Sequence, residues 1–270
     1  MPKKPSSYYR PKSLEEALVQ LSKPDTKPLA GGTMLLANGT GSAVVDLQDL
    51  GLDQLDYSAG ILTTGAMTRL TDLSRFISDV IQAGSAETSE GAGPLLVDSI
   101  HRSGPNTFRN AATVGGIVAS RLADSEFLAA LLVLDAEITL LDQTSRNIGI
   151  SDYLAAERRP DGLITGVAIP WHNGVGASER VARTPADYPI VSVTIFKPAQ
   201  GHARLAATGI DLRPVRVEEA EQAMVSGAGA EEVALAAKDR TRHPGDFRGD
   251  TRYRAEMAFV LTKRLLGEIG

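Results

Sequence analysis

Cysteine is absent from the 270 residues. That excludes disulfides, thiolate nucleophiles, zinc–thiolate sites and cysteine-ligated iron–sulfur clusters within this chain. Any redox group the chain carries must therefore be organic. No apolar run approaches the roughly 18–20 residues that span a bilayer. The basic start, Met1 to Ser7, is not followed by an apolar stretch of signal-peptide type, so the expected location is cytoplasmic. A net charge of −5 without a dense basic block argues against nucleic-acid binding, which depends on neutralising phosphates with Lys and Arg. Neither a nucleic acid nor a membrane is expected as a partner.

Several chemical signatures are also missing. There is no G-x-x-x-x-G-K-[ST] phosphate loop and no G-x-S-x-G nucleophile elbow. The histidines, His101, His172, His202 and His243, lack metal-ligand spacing, so no metal site is expected. G-x-G occurs at Gly39, Gly91, Gly174 and Gly227. None of these follows a strand and opens a helix with the third glycine in place, so a Rossmann fingerprint is not supported. No residue is singled out as catalytic.

What is present is an ordinary globular composition, 43% apolar and 23% charged. Ser13 with Glu16 forms a capping box, and Leu14, Ala17, Leu18 and Leu21 follow at helical spacing. An extended piece from Lys27 runs into Gly31-Gly32, and Ala43 to Leu47 has the pattern of a buried strand. Ile61 to Ala66 predicts a strand, Leu70, Leu73 and Phe76 a helix, and Pro94 to Ile100 another. Glu126 to Leu134 is an apolar helix followed by strands over 136–141 and 163–169. The glycine-rich stretch His172 to Ser178 is the best linker candidate. Strands are expected over 188–196, 202–210 and 214–217, and an amphipathic helix over 251–266.

Two Gly-Gly turns stand out. Ala30-Gly31-Gly32-Thr33 follows an apolar stretch, and successive backbone N–H groups in such a turn can form an anion-binding nest. Thr113-Val114-Gly115-Gly116 leads to Asp124-Ser125-Glu126 at a helix start, where free N–H donors and the helix dipole favour a phosphate. Asp124 or Ser125 could instead simply cap that helix. Each turn alone is better explained as a plain turn, and spacing does not show whether the two converge.

The company these turns keep is more specific. Tyr9-Arg10-Pro11-Lys12-Ser13-Leu14-Glu15-Glu16-Ala17, Leu29 to Leu36, Phe108 to Gly116, Ala130 to Ala136, Arg183 to Val191 and Asp246 to Arg254 occur in order across nearly the whole chain. Together they resemble the FAD-binding (medium) subunit of the molybdenum hydroxylases, the family of carbon monoxide dehydrogenase and of the flavin domain of xanthine dehydrogenase.

The resemblance implies an α+β chain with a PCMH-type FAD-binding fold. Two α/β subdomains, 1–53 and 54–171, would precede an α+β C-terminal domain, 177–270, with a small antiparallel sheet. FAD would be wrapped at its pyrophosphate by Leu29, Ala30, Gly31, Gly32, Thr33, Met34 and Leu35, with further donors from Thr113, Gly115 and Gly116. Ile117 and Glu126 would lie along the same site, Ile164 or Thr165 on a flavin-contacting strand, and Tyr188 near the isoalloxazine ring. For Tyr188 the plain alternative is a core residue at a strand end.

The resemblance further implies a heterotrimer. Its large subunit would carry the molybdenum cofactor and its small subunit the [2Fe–2S] clusters, with electrons leaving to an acceptor such as NAD, quinone or oxygen. The chain departs from the family pattern at Ile117, usually small and polar, at Arg121-Leu122-Ala123, usually small residues with a proline, and at Glu126, usually aspartate. These departures keep two alternatives open: a flavin-less structural or assembly paralogue, and a stand-alone flavin oxidoreductase.

Overall fold

The structure is a computed structural model that describes residues 3–84 and 91–269. Three sheets follow one another along the chain. The first is built from β1 (Tyr8–Tyr9), α1 (Leu14–Leu21), β2 (Thr26–Leu29) and β3 (Ala43–Asp46), with parallel strands in the order β1-β3-β2. Ser13 caps α1 by accepting the Glu16 N–H at 3.2 Å, while the Glu16 carboxylate takes the N–H of Lys12 rather than that of the cap itself.

The second unit runs through β4 (Leu55–Ser58), β5 (Ile61–Gly65), α2 (Leu70–Gln82), α3 (Ala92–Arg102), α4 (Asn106–Arg109), α5 (Val114–Ser120), α6 (Glu126–Val133), β6 (Glu137–Leu141), β7 (Ser145–Gly149), α7 (Ile150–Ala155) and β8 (Leu163–Pro170). Its antiparallel sheet has the order β4-β5-β8-β6-β7. Leu70, Leu73, Ile77 and Val80 put one face of α2 into the core at helical spacing. In α6 every side chain is buried. A helix apolar on all sides must be enclosed on all sides, and α6 lies between α3 and the strands of the third sheet. Each fully buried Leu or Phe there contributes about 1.5–3 kcal/mol.

The third unit holds β9 (Gly174–Val181), β10 (Val191–Pro198), β11 (Arg204–Thr208), β12 (Val215–Arg216), α8 (Glu218–Val225), α9 (Ala230–Asp239) and α10 (Thr251–Ile269). Its sheet is antiparallel in the order β12-β11-β10-β9; α10 packs against β9 and β10, and α9 packs on α10. The stretch 172–178, expected as a linker, is mostly strand: β9 pairs with β10 from Gly174↔Pro198 to Val181↔Val191. Its glycines serve close packing. A Cβ on Gly174 would lie 2.3 Å from the Lys197 carbonyl oxygen, and one on Gly176 would lie 3.1 Å from Leu95 and Phe196. No helix among the described residues is long and apolar enough to cross a membrane.

Candidate functional site

The first Gly-Gly turn leaves β2 just after buried Leu29. Gly32 has φ +70°, the left-handed region glycine tolerates, and residues 33–37 then wind in a single turn, with Leu36 N–H donating to Gly32 O at 3.1 Å. Among the described residues, the N–H groups of Gly31, Gly32, Thr33, Met34 and Leu35 have no acceptor within the chain. Such a row of free donors can form an anion nest. The segment carries no Lys or Arg, so its attraction for an anion is that of backbone dipoles alone.

The second Gly-Gly pair behaves differently. It lies inside the first turn of α5, with Thr113 as N-cap accepting the Gly116 N–H at 3.1 Å. Val114 N–H donates to Thr68 O at 2.9 Å and Gly115 N–H to Ala66 O at 2.8 Å. The expectation that Gly115 and Gly116 add free N–H donors is therefore corrected: their amides are used within the fold. The glycines give closeness instead. A Cβ on Gly115 would lie 2.7 Å from that of Ala66, whereas one on Gly116 would meet only the Thr113 hydroxyl at 3.0 Å, with open space around it.

The turns do converge. A Cβ on Gly31 would overlap the Ala111 carbonyl oxygen at 1.8 Å, so the first turn rests directly on the backbone leading into the second. Ala66 N–H in turn donates to Thr165 O at 3.0 Å, tying β8 to the base of α5. Ile164 itself is buried at 7% exposure in the central core.

A recess next to α5 brings Ile117, Glu126 and Tyr188 together with Arg102, Ser103, Phe108, Leu122, Asp124 and Ser125. Ser125 caps α6, accepting the Leu128 N–H at 3.3 Å, which frees Glu126 from that duty. Glu126 is 3% exposed; one carboxylate oxygen accepts from Arg180 at 2.7 Å and the other lies 3.5 Å from Arg102. Burial pushes the Glu126 carboxyl above its ordinary range against the pull of the two guanidiniums. Tyr188 stands at the rim, 41% exposed, its phenol raised by partial burial and by the Asp124 charge. Arg102, which lines the recess, and Arg180, which pairs with Glu126, were not singled out from sequence as site residues. Arg180 sits on a strand hidden in the expected linker, and no spacing pattern marks it.

Residues 4–172 match the family described as the FAD binding domain in molybdopterin dehydrogenase. The chain belongs to this family. It is 29% identical over 268 residues to the uncharacterized protein YgfM of Escherichia coli (strain K12), covering 97% of this chain and 95% of that one. It is 27% identical over 284 residues to the glyceraldehyde dehydrogenase medium chain of Sulfolobus acidocaldarius, covering 97% and 98%. Reconstituted CO dehydrogenase from Oligotropha carboxidovorans superposes with a TM-score of 0.85 at 25% identity, covering 100% of this chain and 98% of that one.

This member of the FAD-binding family is thus an α+β component of an oxidoreductase whose cofactor is FAD. The residues present fit such a cofactor: a pyrophosphate needs several donors, and the first turn holds a row of them without partners. Among the described residues, no group of three or more His, Asp or Glu side chains is placed to hold a metal ion.

Proposed function

We propose that this chain is the medium, electron-transfer subunit of a heterotrimeric molybdenum hydroxylase. It would stand between a small subunit with [2Fe–2S] clusters and an external acceptor such as NAD, quinone or oxygen, with the molybdenum cofactor in a large subunit. The observation that carries this reading is the row of unpartnered N–H groups from Gly31 to Leu35 in a chain of this family. When bound, FAD supplies the redox chemistry that a cysteine-free chain cannot supply itself.

Residues 29–35 hold the pyrophosphate; Thr113, Gly115 and Gly116 shape the adjoining wall, and Gly116 lets a ligand approach the backbone. Ile117, Glu126 and Tyr188 line the recess for the remainder of the cofactor, with Ile164 behind it in the core. An aromatic ring beside a flavin can shield one face and limit water access. No side chain in this arrangement has to move a proton; the chain binds, orients and excludes solvent. The three sheets favour a division into units 1–53, 54–171 and a third that takes in β9 from Gly174 onward, rather than one starting at 177.

Affinity purification of the full chain from its native host tests the reading. The expected result is co-purification with a molybdenum-containing chain and with a chain holding iron and acid-labile sulfide. Recovery of the chain alone, at native expression level, would contradict it.

A further inference from the structure

Tyr188 sits in a segment, 182–190, that belongs to no helix or strand. Its hydroxyl makes no hydrogen bond among the described residues, so no polar anchor of its own fixes the ring, and the backbone that carries it matters. Two arginines, Arg180 half-buried and Arg254 fully buried, hold that backbone. Arg180, opposite Ser192 on β9, donates through one terminal nitrogen to the carbonyls of Pro185 at 2.9 Å and Asp187 at 2.7 Å. Its other terminal nitrogen donates to Glu126 at 2.7 Å. Arg254, on α10, donates to the carbonyl of Ile190 at 2.6 Å and is itself anchored on Asp246 at 2.6 Å.

We infer that Glu126 and Arg180 form a positioning pair that fixes Tyr188 at the mouth of the recess. Glu126 acts there as the counter-ion of Arg180 before it acts as any ligand contact. Importance for the flavin rests on the functional reading above; the grip itself does not.

The chemistry of the two side chains explains the choice. A guanidinium presents five donors in a fixed fork and can serve a carboxylate and two carbonyls at once, which an ammonium on a flexible stem cannot do with the same geometry. Arg180 has only 14% of its side chain exposed. Without an anion inside, a charge on so long a stem would turn toward water and release the two carbonyls. Glu126 is the group that keeps it in, because its nearest other partner, Arg102, is farther at 3.5 Å and is tied to Asp98 at 2.8 Å.

The test compares Arg180→Lys and Glu126→Gln with Tyr188→Leu in the full chain, using amide exchange and the emission of added FAD. Arg180→Lys keeps the charge and guards against a folding failure in Glu126→Gln. The amides of Asp187 and Ile190, bonded to Thr184 O at 3.1 Å and Val181 O at 2.8 Å, report the segment. In both pair variants the Asp187 amide is expected to exchange about tenfold faster or more, through local opening, while α5 is unaffected. The emission of the FAD that remains bound is expected to move in the same direction as in Tyr188→Leu. Wild-type exchange at Asp187 in both pair variants would overturn the proposal. A loosened segment with FAD emission unchanged even in Tyr188→Leu would support the grip and overturn the placement of flavin beside Tyr188.

Discussion

Gly31 and Ala111 are packed backbone on backbone, so closely that a Cβ on Gly31 would stand 1.8 Å from the Ala111 carbonyl oxygen. Neither partner is the tip of a flexible side chain. Gly31→Ala must therefore push the two segments apart, at an overpacking cost of about 1–3 kcal/mol. Denaturant melts and FAD titrations are expected to show that loss of stability together with an at least roughly tenfold weaker FAD affinity, since 1.4 kcal/mol is a factor of ten. Wild-type affinity in this variant would contradict the role given to the contact.

Gly32 and Gly116 separate backbone strain from ligand approach. Gly32 has φ +70°, where an L side chain costs roughly 1–2 kcal/mol and a β-branched one more. Gly32→Val is expected to lower stability and abolish FAD binding together. Gly116 has no positive φ, and its Cβ would crowd only the Thr113 hydroxyl. Gly116→Val is expected to cost no more than a weakened cap, about 0.5–2 kcal/mol, yet to lose FAD. Stoichiometric FAD in both variants would refute the assignment of the two turns.

Much of this was legible in the sequence because local signals coincide with function there. The capping Ser13, the apolar α6 and the two Gly-Gly pairs announce themselves through periodicity and turn chemistry. The strand β9 did not, since Gly174 and Gly176 suggest flexibility until β10 and Leu95 are seen to crowd them. Nor did the fate of the second turn's amides, which depends on the carbonyls of Ala66 and Thr68 from a distant segment. Arg180 and Arg102 were invisible for the same reason: their shared partner Glu126 is far from both along the chain, and no one-dimensional pattern records a convergence in space.

Arg254 carries a stability prediction. It is fully buried and donates to Ile190 O, Gly209 O, Gly249 O and Asp246. Asp246 keeps Arg248 when Arg254 is removed, so the cost falls on the buried carbonyls of Ile190 and Gly209, at about 1–3 kcal/mol for each left without a partner. Arg254→Met is expected to lower the unfolding free energy by about that amount, read as a lower denaturant midpoint at unchanged slope. Burial alone would raise Asp246, yet the Arg248 amide and the Arg254 and Arg248 guanidiniums hold it well below the usual carboxylate range. Its contribution is thus present above the unfolded value of 3.8 and lost as the pH falls further. Asp246→Asn is expected to flatten acid unfolding in that window.

His243 gives a second pH effect, nearer neutrality. Burial first, and then the Arg254 charge, lowers its pKa below the ordinary 6.5. Its Nδ1 accepts the Gly245 N–H at 3.0 Å, which requires the neutral ring. A depressed value means stability present above 6.5 and lost as the pH falls through it. Thermal melts at about pH 7.5 and about pH 5.5, on either side of the unperturbed histidine value, check this. The wild type is expected to lose more stability than His243→Gln, and equal losses would remove His243 as the cause.

The central claim is that this chain binds FAD through the free amides of its first Gly-Gly turn. The most direct test is the flavin content of the purified full chain after incubation with FAD, set beside that of Gly32→Val. The expected result is a yellow protein with about one FAD per chain, as for a single dinucleotide site, and none in the variant. A colourless wild-type protein that takes up no FAD would contradict it and leave the chain a structural subunit.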